Sequence, residues 1–169
     1  MDLFDAIRGR RSVRAYRRDP LPPGLLEELI DAARWAPYGS GEAYPLRYVV
    51  VTEAARRAAL RDLMGDPKWH GFIADAPAVV CVVRDTRIGG GDADAHAATE
   101  NLLLAACARG LGSCWIASFD PAKLRALLGM PEEVVPVVVV PLGYPAESPE
   151  APQRPPVDRL IMRERWREG

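Results

Sequence analysis

Residues 98–116 read ATENLLLAACARGLGSCWI, and the two halves of this stretch follow different rules. The run ENLLLAACA, from Glu100 to Ala108, is apolar almost all the way round a helix, a pattern that requires burial on every side. The glycines at 110 and 112 then close that helix with a C-cap and a tight turn, and GLGSCWIASF (110–119) holds that turn and a short strand. The spacing predicts a helix over 94–109. Such a helix needs a surrounding core, so the neighbouring segments must supply one.

They do. APAVVCVVRD (76–85) is apolar on both faces and predicts a central strand. LRYVVVT (46–52) and VVPVVVVPLGYP (134–145) predict two more, Pro136 placing an edge or a bulge near the start of the last. LFDAIRGR predicts a short helix capped by Asp2. In DPLPPGLLEELIDAARWAP (19–37), Leu25, Leu26, Leu29, Ile30 and Ala33 fall at helical spacing, with Pro22 and Pro23 in the first turn and Pro37 as the stop. Further helices are expected over 53–64 and in DPAKLRALLGM (120–130), the latter capped by Asp120 with Pro121 at its first position. Four strands and several helices imply one α+β domain spanning 1–169. Within it, residues 145–169 change character: PAESPEAPQRPP is extended and polar, and VDRLIMRERW predicts a terminal helix. A tail that buries so little of itself is expected to lie against something else, such as a partner subunit.

The chain has 169 residues, with 22 Lys+Arg against 23 Asp+Glu and a formal net charge of -1, a balance with no general pull toward nucleic acid or anionic membrane. Cys81, Cys107 and Cys114 sit in or beside apolar runs and read as buried, inert thiols. No CxxC occurs and His70 and His96 lie far apart, so no metal site is expected. MDLFDAIRG is too acidic for a secretory leader, and no apolar stretch reaches the roughly 18 residues of a membrane helix. A cytoplasmic protein is expected.

Against that balance stands RGRRSVRAY, residues 8–16, with four arginines and a serine. Guanidinium forks and a serine hydroxyl suit phosphate oxygens. By itself the run reads equally as a phosphate clamp or as a solvated arginine face after a helix end. GGGDADA (89–95) lacks the GK[ST] of a phosphate loop and reads as a turn before a helix. Asp92, Asp94 and His96 mimic a calcium loop for three residues, without the glycine and glutamate that would complete it. His70 has no orienting carboxylate at an obvious spacing and reads as structural. No GxSxG or Cys–His pattern is present, which points to a borrowed cofactor if the protein is an enzyme.

The blocks IRGRRSVRAY, ARWAP, YPLRYVVVT, APAVVCVV, ATENLLLAACARGLGSCWI and VVPVVVVPLGYPAE…QRPPVDRL, in that order, resemble the nitroreductase family of flavoproteins over nearly the whole chain. The resemblance implies an α+β fold with a central, mostly antiparallel sheet flanked by helices, assembled as an intertwined homodimer with one FMN per subunit at the interface. It implies that Arg10, Arg11, Ser12 and Arg14 grip the FMN phosphate and that Arg154 completes that site. Trp115, Ile116 and Ala117 would lie beside the flavin ring with backbone N–H groups near its N5, and Leu102 to Cys107 would form the dimer core. The implied chemistry passes electrons from NADH or NADPH through the flavin to a nitroaromatic, quinone or related small-molecule acceptor in a ping-pong cycle. The chain departs from the family where YGSGEAYP (38–45) replaces a segment rich in serine, glycine and asparagine, placing Glu42 and Tyr44 nearest the flavin. That departure leaves two alternatives: a flavin-binding or storage protein with little turnover, or a specialised member acting on its own flavin or on a biosynthetic intermediate.

Overall fold

Why a four-stranded sheet forms here follows from the alternation of its valines. In the computed structural model, which describes residues 1–39, 41, 43–65 and 70–166, the sheet has the order β1-β2-β4-β3, with β1 at Leu46–Val51, β2 at Ala78–Asp85, β3 at Gly112–Ser113 and β4 at Val134–Gly143. Every strand pair is antiparallel: Val49 sits opposite Cys81, Cys81 opposite Val139, and Gly112 opposite Gly143. On β2, Val80 and Val82 point into one hydrophobic layer while Val79, Cys81 and Val83 point into the other, the period of two that a strand imposes.

The first layer holds α2 (Leu25–Ala33) and α4 (Asp92–Ala108); the second holds α3 (Ala54–Leu63) and α5 (Pro121–Leu128). A short α1, Leu3–Gly9, precedes them, its Asp2 accepting from the Asp5 N–H at 3.0 Å. Asp120 caps α5 by accepting from the N–H groups of Ala122 and Lys123 at 2.9 and 3.2 Å, an arrangement that contributes about 1 kcal/mol. The expected proline signature at β4 is a bulge. Val82 faces Val138 but Val83 faces Pro136, so Val137 is the extra residue, and Val137 and Val138 both pack into the first layer.

Two expectations are corrected. Pro22 and Pro23 precede α2 instead of opening it: Leu25 N–H bonds to Pro22 O at 3.2 Å, and Gly24, at φ 82°, is the N-cap. A left-handed φ is easy only for glycine, so the helix starts after it. Second, the tail forms only a 3-10 turn, Val157–Arg159, where a terminal helix was expected, and residues 150–166 are all exposed. About ten residues that pack on no surface of their own chain do not offset the cost of helix nucleation. Within α4, Leu102, Leu103 and Ala106 are buried by their own chain's core, and Leu104, Ala105 and Cys107 are half-buried. No helix among the described residues is long and apolar enough to cross a membrane.

Candidate functional site

The arginine run leaves α1 and becomes an extended segment stitched on both sides. Ser12 bridges Ser113 of β3 in parallel, and Val13 N–H donates to Ser113 O at 2.9 Å. Arg17 N–H donates to Tyr144 O at 2.8 Å, and Ala146 N–H returns a bond to Ala15 O at 2.9 Å. The Arg14 N–H is taken by the Glu147 carboxylate at 2.5 Å. Below the segment, Gly112 leaves no room for a side chain: a Cβ there would meet Val13 Cγ1 at 2.7 Å. Tyr16 is buried and donates its hydroxyl to Val13 O at 2.7 Å, burial pushing its ionisation upward. Charged side chains thus project from a backbone with little freedom to move.

Those side chains line a cavity of about 730 Å³ that includes Arg8, Arg10, Arg11, Ser12, Arg14 and, from the tail, Arg154. Two carboxylates, Glu100 and Glu150, share it, and Arg10 Nε lies 3.7 Å from Glu100. Arg11 Nη1 donates to Arg8 O at 2.6 Å and Arg10 O at 2.8 Å, covering the negative end of α1. Its Nε and Nη2 donors have no protein acceptor among the described residues. The volume suits a small molecule, and the donor set of forked cations and a hydroxyl suits a phosphate monoester. The five residues expected to clamp phosphate are therefore brought together, four from one segment and Arg154 from 140 positions later in the chain.

A second, smaller cavity of about 220 Å³ adjoins through Arg14 and is lined by His70, Phe72 and residues Cys114 to Ser118. Here Ile116 N–H donates to Val139 O at 3.0 Å and its side chain is buried, so that amide is turned into the sheet. Among the described residues, the backbone donors left without an acceptor on the stretch are those of Trp115, Ala117 and Ser118. Burial pushes the Cys114 thiol up, with Arg14 partly opposing it; burial also raises Cys107, and takes Cys81 to about 12. All three thiols stay protonated at neutral pH and are free.

Tyr44 is not in either cavity. It lines a third, of about 690 Å³, with Trp35, Tyr38 and Tyr48, its hydroxyl 2.7 Å from that of Tyr48 and its ring edge-on to Tyr38 at 5.3 Å. Burial raises the ionisation of both bonded tyrosines. Glu42 lies outside the described residues. Asp94, which resembles part of a calcium loop in sequence, instead ties two loops together: Oδ1 accepts from Gly39 N–H and Oδ2 from Gly91 N–H, each at 3.1 Å. Gly90, at φ 105°, passes so close that a Cβ would lie 2.2 Å from Asp94 Oδ2. The signal in the sequence was the capping aspartate three residues into a helix that follows glycines, GGGDAD. Among the described residues no group of three or more His, Cys, Asp or Glu side chains could hold a metal ion.

The sequence model of the Nitroreductase family matches residues 7–70 and 65–144. The chain belongs to that family. A protein of Archaeoglobus fulgidus, whose name gives both NADH dehydrogenase and NAD(P)H nitroreductase, is 34% identical over 98% of this chain and 99% of its own. A 5,6-dimethylbenzimidazole synthase of Rhodospirillum rubrum is 30% identical over 90% of this chain and 86% of its own. Among solved structures, nitroreductase A of Vibrio parahaemolyticus superposes with a TM-score of 0.88 over 99% of this chain and 78% of its own, at 23% identity, a likeness of fold.

Proposed function

We propose that this nitroreductase-family chain is an FMN-dependent oxidoreductase that passes electrons from NADH or NADPH to a nitroaromatic, quinone or related small-molecule acceptor. The observation that supports it best is the junction of two cavities at Arg14: one rich in phosphate-binding donors, the other lined by backbone with unused N–H groups. Bound there, FMN supplies the two-electron chemistry, which is why no nucleophile is needed. Arg10, Arg14, Arg154, Ser12 and the free donors of Arg11 would hold the phosphate. The N–H groups of Trp115 and Ala117 would face the ring edge, where donors favour negative charge, while Ile116 anchors the stretch to β4.

The active form in this reading is a homodimer. Leu3, Phe4 and Ile7 of α1 and Leu160, Ile161, Met162 and Trp166 of the tail are exposed apolar side chains that a partner would cover. Tyr44, remote from its own chain's arginine cavity, would reach a flavin only across that interface.

The visible spectrum of the purified protein tests this directly. A flavin spectrum that bleaches with NADH or NADPH without oxygen, and returns with a quinone, is the expected result. A bound flavin that neither donor bleaches would favour a storage or binding role. A colourless protein that FMN does not reconstitute would overturn the reading. A second reading is a specialised enzyme acting on its own flavin or on a biosynthetic intermediate, and the synthase name of the relative from Rhodospirillum rubrum supports the biosynthetic part. Quantitative recovery of flavin after reduction and reoxidation in air would exclude consumption of its own flavin.

A further inference from the structure

His70 and Ser118 line the smaller cavity. Each is placed by its neighbours. His70 stands immediately before the 3-10 turn Gly71–Ile73, whose Ile73 is fully buried, and Ser118 follows directly on Ala117. The two side chains, 48 residues apart in sequence, meet with Ser118 Oγ 3.3 Å from His70 Nε2. The other ring nitrogen, Nδ1, is buried and has no hydrogen-bond partner among the described residues. Among the described residues, Ser118 is therefore the ring's hydrogen-bond partner. The remaining titratable and charged groups lining this cavity are Cys114, a thiol kept protonated by burial, and Arg14, a permanent cation. Neither exchanges protons at neutral pH, whereas histidine is the side-chain type that does.

We propose that His70 and Ser118 form a proton relay serving reduction of the acceptor, a role that rests on the oxidoreductase reading above. An acceptor such as a quinone needs an electron pair and two protons to become a hydroquinone. A bound FMN would supply the electron pair and one of the protons. The second proton comes from Ser118: its O–H bond breaks as the proton moves to the acceptor oxygen, and a new O–H forms with the Nε2 proton of the His70 imidazolium. Neutral imidazole is left and regains its proton from water. Ser118, exposed at the cavity, is the group that touches the acceptor, and His70 is its proton source.

Rapid mixing of the holoenzyme separates the two halves of turnover. His70→Gln and Ser118→Ala should each slow reoxidation by a benzoquinone, in the absence of oxygen, about a hundredfold. Flavin reduction by NADH or NADPH should stay within about twofold, and Ser118→Thr, which keeps the hydroxyl, should restore reoxidation. A readout without turnover is the ring NMR signal of His70 in the oxidised holoenzyme, distinguished from that of His96 by His96→Gln. Ser118→Ala should move that signal. Wild-type reoxidation in both variants, with the His70 signal unmoved by Ser118→Ala, overturns the relay and leaves the oxidoreductase reading standing. A bound flavin that neither nicotinamide reduces overturns both.

Discussion

The arginine cavity and the tyrosine cavity have nearly equal volumes, about 730 and about 690 Å³, and are built by opposite means. The first rests on backbone. Residues 12–17 are bonded to β3 on one side and to residues 144–147 on the other, so the arginines stand on a fixed rail. The second rests on side chains. Tyr44 and Tyr48 share one hydrogen bond between hydroxyls, Tyr38 packs edge-on, and Asp94 tethers the loop to α4 through Gly39. The difference teaches where rigidity is needed. Several like charges repel one another until an anion arrives, so the clamp must be held by something other than its ligand, whereas packed aromatic rings hold themselves.

The largest expected effect breaks the first cavity. Arg14→Ala with Arg154→Ala removes two sets of charge-assisted bonds, each contributing about 1.5–3 kcal/mol, and should weaken FMN binding about 10²–10⁴-fold by equilibrium dialysis. Next comes the rail. Gly112→Ala should push Val13 and the segment above it, costing about 1–3 kcal/mol in denaturant unfolding and lowering FMN retention about tenfold, with the charges intact. Tyr44→Phe strands the Tyr48 hydroxyl and should cost about 1 kcal/mol, with flavin affinity changed by no more than a few-fold. A loss as large as that of the arginine pair would show that the two cavities meet around one ligand across the subunit interface.

The smallest effect lies outside both cavities, at the end of β2. Arg87 donates to both oxygens of Asp85, at 2.9 and 2.6 Å, and this hydrogen bonding holds the Asp85 carboxyl at about 2. A carboxyl lowered on folding contributes stability that is complete above its unfolded value of about 3.9 and is lost as pH falls through its folded value. Arg87→Ala should therefore be slightly less stable than the parent at pH 7 and equal to it below about pH 2, so that its loss of stability between about pH 4 and pH 2 becomes shallower.

Much of this was legible in contiguous residues. The valine alternation of β2, the capping of α5 by Asp120 and the bulge at Pro136 are local effects of backbone sterics and hydrogen bonding, so a short window contains their cause. The arginine run was legible as charge, but its ambiguity between clamp and solvated face was real: Arg11 does both, covering the end of α1 and lining the cavity. The tail helix was misread because periodicity in VDRLIMRERW says nothing about whether a surface exists for it to pack on. His70 was set aside for lack of a nearby carboxylate, and Ser118 carries no motif at all.

The sequence by itself determined the four strands, the buried helix that covers them, the placement of positive charge and the membership of a family, because each depends on residue order and local chemistry. The tertiary structure alone decided that Arg154 joins Arg10 and Arg14, that Ile116 turns its N–H away from the cavity, that Tyr44 stands apart, and that His70 meets Ser118. Those depend on how twisted strands and packed helices bring distant segments together, a geometry set by the whole core at once and by no single stretch of chain.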